Sequence, residues 1–217
     1  LKLYSIPHSP YGARVSALIR LKQLPIEVLP PPEALRTEGF FRRFPLGKVP
    51  ILELDDGSCL GESWAILEYL EETSTSSRSL SPKDALARAR MRELARYADL
   101  HLAQNALFPL FRSALAGQAV SEDTEAALRA ELAKGERLIG ARGPIAGRHL
   151  DLGDIALAPS ILYLELLTGG VGESAVLGEF PAFSAWWQEV RNIPELAEVL
   201  NGVAAAFEAF AGTKASA

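Results

Sequence analysis

Three short stretches carry residue types suited to chemistry: Ser9-Pro10-Tyr11-Gly12, Lys48-Val49-Pro50 and Gly61-Glu62-Ser63. Pro50 heads Ile51-Leu52-Glu53-Leu54, an apolar run with one polar position, so it suits the start of a half-buried strand, with Asp55-Asp56-Gly57-Ser58 as a hairpin turn. A cis peptide before Pro50 would turn Val49 outward, its N–H and C=O free to pair with an extended peptide as an added strand. Ser63 precedes the helical stripe Ile66, Leu67 and Leu70, which places it at a helix N-terminus whose free N–H groups attract a carboxylate. Glu62 beside it offers a negative charge to an ammonium. Lys48 is either a surface cation or a point charge within reach of a second carboxylate. Together these groups suit a small acidic peptide with an amino-acid end.

Ser9 and Pro10 fit the cap and first position of a helix. The Ser9 hydroxyl there is either a plain cap or a donor to a bound anion, with the helix N-terminus adding positive potential. Tyr4 competes for that donor role, although its alternation in a strand equally suits the core, and Tyr11 either joins in or lines a pocket. Arg14 suits an ion pair near this helix, and His8, His101 and His149 have no partner spacing that argues catalysis.

The elements around these residues follow from periodicity. Leu1 to Ser5 reads as a strand, Val15 to Leu21 as a helix and Ile26 to Leu29 as a second strand. A short irregular helix lies within Glu33 to Arg43, and the hairpin and the Ser63 helix follow. The order is β-α-β-α-β-β-α over 1–74. A Thr/Ser-rich run with Pro82 marks a linker at 75–83. From 84 to 217 the chain is Ala-, Leu-, Glu- and Arg-rich, with helical spacing over Leu86 to Leu115 and Glu122 to Ile139, so an all-helical domain is expected. Asp151 and Asp154 form an acidic variant of a capping box, structural in role, and Phe180, Phe183, Trp186 and Trp187 read as packing residues.

With 217 residues, 48% of them hydrophobic, the chain has enough material for two small cores. Its formal charge of −5 offers no basic field for nucleic acid or an anionic membrane. The single Cys59, read as a small buried hydrophobe, excludes an internal disulfide, and no ligand spacing suggests a metal. The start, Leu-Lys-Leu-Tyr-Ser, lacks a charged leader and long apolar run, so no signal peptide or membrane span is expected and a soluble, cytoplasmic chain is.

Phe44-Pro45-Leu46-Gly47-Lys48-Val49-Pro50 and Gly61-Glu62-Ser63-Trp64-Ala65-Ile66-Leu67-Glu68-Tyr69-Leu70 resemble the glutathione-binding half of the soluble glutathione S-transferases. Ser9-Pro10-Tyr11-Gly12-Ala13-Arg14-Val15 resembles the Ser-type classes of that family, such as tau and zeta. The resemblance implies a thioredoxin-like N-terminal domain followed by an all-helical one. It implies glutathione as co-substrate, held by Lys48, Val49, Pro50, Glu62 and Ser63, and Ser9 as the catalytic hydroxyl that stabilises the thiolate. The partner molecule is then a small electrophile, for which Tyr11, Leu35, Leu102, Phe108, Phe111 and Arg112 are candidate pocket residues, with His101 as a further polarising group. The family also implies a homodimer, its interface around Ala65 to Tyr69 and Arg88 to Tyr97. Two features depart from the family pattern: Phe44 precedes Pro45 where Asn is common, and Asp151 opens the capping box where Ser or Thr is usual.

Two other motifs compete and fail. Gly61-Glu62-Ser63-Trp64-Ala65 nearly matches a serine-hydrolase elbow, and Asp99 and His149 follow in the required order, but the helical second half leaves no parallel strands for that sheet. Gly169 to Ser174 lacks the Lys and preceding strand of a phosphate loop and reads as a helix-ending loop. Within the resembling family, a glutathione-dependent isomerase of the maleylacetoacetate type and a non-catalytic glutathione or hydrophobic-ligand carrier remain open beside the transferase.

Overall fold

The computed structural model describes residues 1–74, 78–172 and 174–215. β1 (Lys2–Tyr4), α1 (Pro10–Lys22) and β2 (Glu27–Leu29) open it as a β-α-β unit in which β2 lies parallel to β1, Leu3 opposite Val28. α2 (Glu38–Arg43), β3 (Ile51–Glu53), β4 (Cys59–Leu60) and α3 (Ser63–Thr73) complete it. The sheet order is β2-β1-β3-β4, with β3 antiparallel to both neighbours, which is the thioredoxin-like arrangement. The β3–β4 hairpin closes through Gly57 at φ 83° and an Asp56 carboxylate that accepts the Ser58 N–H at 2.9 Å. Such a turn needs a residue tolerant of positive φ.

Cys59 corrects one expectation, because it is exposed rather than buried. On the two-residue edge strand Cys59 pairs with Glu53 and Leu60 with Leu52, a fully buried residue. Alternation therefore turns Leu60 towards the core and Cys59 away from it.

Of the expected linker, residues 75–77 lie outside the described residues. Its far end is fastened: the Leu80 N–H and Ser79 hydroxyl donate to Glu71 at 2.8 and 2.9 Å, and the Leu152 N–H donates to the Leu80 carbonyl at 3.0 Å. α4 (Ala85–Tyr97) then runs without a break through a π-helical segment, Ala98–Leu107, into α5 (Phe108–Leu115). α6 (Glu122–Arg142), α7 (Leu152–Thr168), α8 (Ala175–Gly178), α9 (Pro181–Arg191) and α10 (Pro194–Ala215) follow. Among the described residues no strand occurs after Leu60, and no helix is long and apolar enough to cross a membrane.

α7 is the hub of this half, buried from Leu152 to Glu165. It starts with the acidic capping box: Asp151 accepts the Gly153 N–H at 2.9 Å, and Asp154 returns the favour to the Asp151 N–H at 3.1 Å. Asp154 also receives the Trp186 indole at 2.9 Å and two bonds from Arg148. Phe183, Trp186 and Trp187 are buried in the core, as the spacing implies. Gly169 and Gly170 end α7, the Gly170 N–H donating to Glu165 at 2.8 Å. α1 of the first half packs on both α7 and α10, so the sheet domain leans on the bundle through its first helix.

Candidate active site

Two cavities meet beside the start of α1. The more polar one, of ≈ 280 Å³, is lined by Lys48, Val49, Pro50, Glu62 and Ser63, together with Leu46, Arg96, Asp99, Leu100 and Gln104. The other, of ≈ 200 Å³, is lined by Ile6, His8, Ser9, Pro10, Ala103, Leu107, Phe111, Ser160 and Tyr163. Tyr11 and Phe108 belong to both linings. A roomier cavity of ≈ 740 Å³ between β2, α1 and α10 includes neither Ser9, Lys48 nor Glu62.

The polar cavity is built from backbone as much as from side chains. The Val49–Pro50 peptide is cis, and among the described residues the Val49 N–H and C=O take no backbone partner. Glu62 sits at φ 66°, ψ 113°, a conformation that costs a non-glycine residue roughly 1–3 kcal/mol and persists where surrounding structure enforces it. Ser63 follows as the first residue of α3, and no side chain caps that helix. Its leading N–H groups are therefore left for a carboxylate, beside the exposed Glu62 carboxylate and Lys48 ammonium.

Arg14 ties this wall to the bundle. Its side chain is 1% exposed, and its guanidinium donates to Asp99 at 2.6 Å, to the Ser63 hydroxyl at 3.4 Å and to the Ser160 hydroxyl at 3.5 Å. It also lies 4.7 Å from the centroid of the Tyr11 ring, a cation–π contact. Burial pushes the Tyr11 phenol above its ordinary range; Arg14 opposes that, while Asp99 and Glu62 add to it, so the hydroxyl stays a neutral donor.

Ser9 caps α1, its Oγ accepting the Gly12 N–H at 3.0 Å. It is only 6% exposed, and with a lone pair occupied its hydrogen remains free to donate. Gly12 makes this packing possible, since a Cβ there would meet the Ser5 hydroxyl at 1.9 Å. Burial holds the His8 imidazole below its ordinary pKa, hence neutral, and its carbonyl accepts the Tyr163 hydroxyl. Burial also keeps Tyr163 protonated by raising its pKa.

The structure thus gathers Ser9, Tyr11, Phe108 and Phe111 at one cavity and Lys48, Val49, Pro50, Glu62 and Ser63 at the other. Leu35, Leu102 and Arg112 are not brought there. Leu35 packs on a separate small cluster of Tyr4, Phe40, Phe44 and Ile51. Leu102 is fully buried in the main core, on the side of its helix away from Ala103, Leu107 and Phe108, which line the cavity. Arg112 is exposed on α5, and His101 stacks near Tyr97 at 6.4 Å, outside either lining. Tyr4 is a core residue whose hydroxyl donates to Glu53 at 3.0 Å. Asp99, Gln104, Arg96, Ser160 and Tyr163 line the site without having signalled it from the sequence, because each sits at an unremarkable helical position. Among the described residues no cluster suited to a metal ion exists.

Two family models match the chain: the N-terminal domain of glutathione S-transferase over residues 3–78 and its C-terminal domain over residues 97–194. A maleylacetoacetate isomerase of Pseudomonas aeruginosa is 31% identical over 206 residues, covering 91% of each chain. A glutathione S-transferase of Pseudomonas putida is 28% identical over 219 residues, covering 97% of this chain and 96% of its own. A solved glutathione S-transferase of Anopheles dirus has the same fold, with a TM-score of 0.82 at 22% identity over 98% of this chain and 100% of its own. With both domain models in order and a relative of this identity along nearly its whole length, the chain belongs to the glutathione S-transferase family.

Proposed function

We propose that the polar cavity holds glutathione and that Ser9 steadies its thiolate for attack on a small, uncharged, hydrophobic electrophile in the apolar cavity. The observation that carries this is the meeting of the two cavities at Tyr11 and Phe108, with Ser9 on the apolar side. The free rung at Val49 suits the peptide backbone, Lys48 the glycyl carboxylate, Glu62 the γ-glutamyl ammonium and the start of α3 its carboxylate. A thiol with a pKa of about 8.5 is mostly protonated near neutrality. A hydrogen bond to the charged sulfur, roughly 1.5–3 kcal/mol, and a helix-end contribution of roughly 0.3–1 kcal/mol lower that by about one to three units. On this reading the chain works as the Ser-type members of its family do.

The isomerase relative favours a second reading, in which the thiolate adds to a conjugated acid and leaves again. The apolar cavity argues against it: its described lining has no Lys or Arg, and His8 is neutral, so a carboxylate-bearing substrate lacks a counter-charge. A pure carrier would tolerate loss of Ser9. We also infer that 75–83 joins the two domains and that copies pair through α3 and α4, where Arg92 meets Glu68 at 2.8 Å within one chain. Equilibrium sedimentation giving a monomer at micromolar concentration would remove that pairing. A cytoplasmic setting, where glutathione is the working thiol, suits the whole reading.

Calorimetry with glutathione tests the cradle. Glu62→Ala is expected to weaken binding by about 10- to 100-fold, the value of one charge-assisted hydrogen bond. Equal affinity would reject the assignment. A panel containing a halonitroarene and a cis-dienoic acid separates the chemistries: conjugation of the first supports the transferase, and turnover of the second without conjugation supports the isomerase.

A further inference from the structure

The segment Ala98–Leu107 has a side away from the cavities. Its cavity side carries Ala103, Leu107 and, just beyond it, Phe108 to the apolar cavity, and Asp99 and Gln104 to the polar one. The other side meets α6, and two contacts there end on a single residue. The Tyr97 hydroxyl donates to the Glu131 carbonyl at 2.9 Å, and the Asn105 amide donates to the Glu131 carboxylate at 2.8 Å. Tyr97 immediately precedes the segment and Asn105 lies near its end, so Glu131 holds both ends from behind. Gly135, one turn further along α6, admits the ring: a Cβ there would stand 2.6 Å from the Tyr97 hydroxyl. On the cavity side, Arg14 holds Asp99 at 2.6 Å.

This anchorage is costly. Glu131 is 4% exposed, and its second carboxylate oxygen is buried with no hydrogen-bond partner among the described residues. Burial pushes its pKa up, but the bonds from Lys134 and Asn105 and the charges of Lys134 and His101 outweigh that and hold it below the ordinary range, so the group is ionised. A bare ion of this kind sits behind a run of π turns, which are rare and recur at functional sites. Glu131 itself lines neither cavity.

We propose that Glu131 is a positioning residue for the electrophile: through Asn105 it fixes the rotation of the segment that carries Ala103, Leu107 and Phe108 to the apolar cavity. The inference rests on the glutathione reading above and adds what sets the fit of the second substrate. The cradle residues Lys48, Val49, Glu62 and Ser63 lie in the other domain, so loosening the tie disturbs the electrophile end first.

Exchanging donor and acceptor isolates the tie. Asn105→Asp sets two carboxylates where one bond stood, and Glu131→Gln on that background returns an amide opposite a carboxylate with the polarity reversed. Calorimetry of the full chain with glutathione and with S-benzylglutathione reads the two ends separately, since only the second probe extends beyond the sulfur. The wild-type chain is expected to bind S-benzylglutathione about tenfold or more tightly than glutathione. Asn105→Asp is expected to lose about fivefold or more of that gain with glutathione affinity kept within about twofold, and the double variant to recover it. Asn105→Ala, at an exposed position, deletes the donor without adding a charge and is expected to lose the gain likewise, which covers an Asp variant that does not fold. A gain that survives in both Asn105 variants, that stays lost in a folded double variant, or that falls in step with glutathione affinity overturns the positioning role and leaves the cradle standing. Failure of the wild-type chain to bind glutathione, or to prefer S-benzylglutathione, overturns the reading above, and the inference falls with it.

Discussion

Ser9→Ala removes two interactions that share one oxygen. The first is the cap: Oγ accepts the Gly12 N–H at 3.0 Å, and losing such a cap to Ala costs roughly 0.5–2 kcal/mol of stability. The second is the proposed bond to the thiolate, at about 1.5–3 kcal/mol, which equals an upward shift of about one to two units in the pKa of bound glutathione. Glycine separates them. Gly costs only about a few tenths of a kcal/mol as an N-cap, yet it lacks the hydroxyl as completely as Ala does. Ser9→Gly is thus expected to melt close to the wild-type chain and to raise the thiol pKa as far as Ser9→Ala. The helix N-terminus contributes in all three proteins, so some depression of the pKa remains in the variants. Thiolate absorbance of the glutathione complex, titrated against pH, reads the chemistry, and urea unfolding reads the cap. An unchanged pKa in both variants refutes the role of the hydroxyl. A pKa that tracks the stability loss, large in Ala and small in Gly, reduces Ser9 to a helix cap.

Arg14→Met leaves Asp99 without the partner at 2.6 Å and is expected to cost about 3 kcal/mol in urea unfolding, with Asp99→Asn restoring part of it in the double variant. A loss below about 1 kcal/mol would show that the pair does not hold the halves together. Burial, reinforced by the neighbouring Asp154 charge, pushes the Asp151 carboxyl up to about 6 against the pull of Arg142. A carboxyl whose pKa is higher folded than unfolded stabilises the fold below its unfolded value and loses that contribution as pH rises through about 6, so Asp151 makes stability fall between about pH 4 and 6, by on the order of 2–3 kcal/mol. Asp151→Asn, which still caps α7, is expected to remove that downward slope from urea midpoints measured across this window, and an unaltered slope would assign the titration elsewhere.

What was legible in the sequence is what short-range rules decide. Pro50 before an alternating run, Gly57 in a tight turn, and Ser9, Ser63 and Asp151 at helix starts each follow from a local backbone demand, and the structure has all of them in those roles. The sheet order adds Leu52 and Leu60 on one face by simple alternation. The exposure of Cys59 is not legible in the sequence, because burial of a strand residue depends on which face and which margin of the sheet it occupies, and neither is written in its immediate neighbours. Leu35 and Leu102 failed for a related reason, since an apolar side chain in an irregular loop or on a long helix has more than one core to join.

The π segment makes the same point about chemistry. Along this continuous helix Ala103, Leu107, Phe108 and Phe111 face the cavity beside Ser9 and Asp99 faces the polar one, while Leu102 lies on the opposite side and joins the core. The proposed peptide end of the site consists of a main-chain rung and a helix tip, both set by neighbouring residues, and so it can be read locally. The proposed electrophile end is a meeting of side chains from the loop before α1, the π segment, α5 and α7, and one buried guanidinium, Arg14 of α1, links two of those elements, the π segment and α7, to α3. On the proposed reading, selectivity for the electrophile depends on how the π segment seats against α1, and substitutions that move that segment should change which electrophile is accepted before they change how glutathione is held.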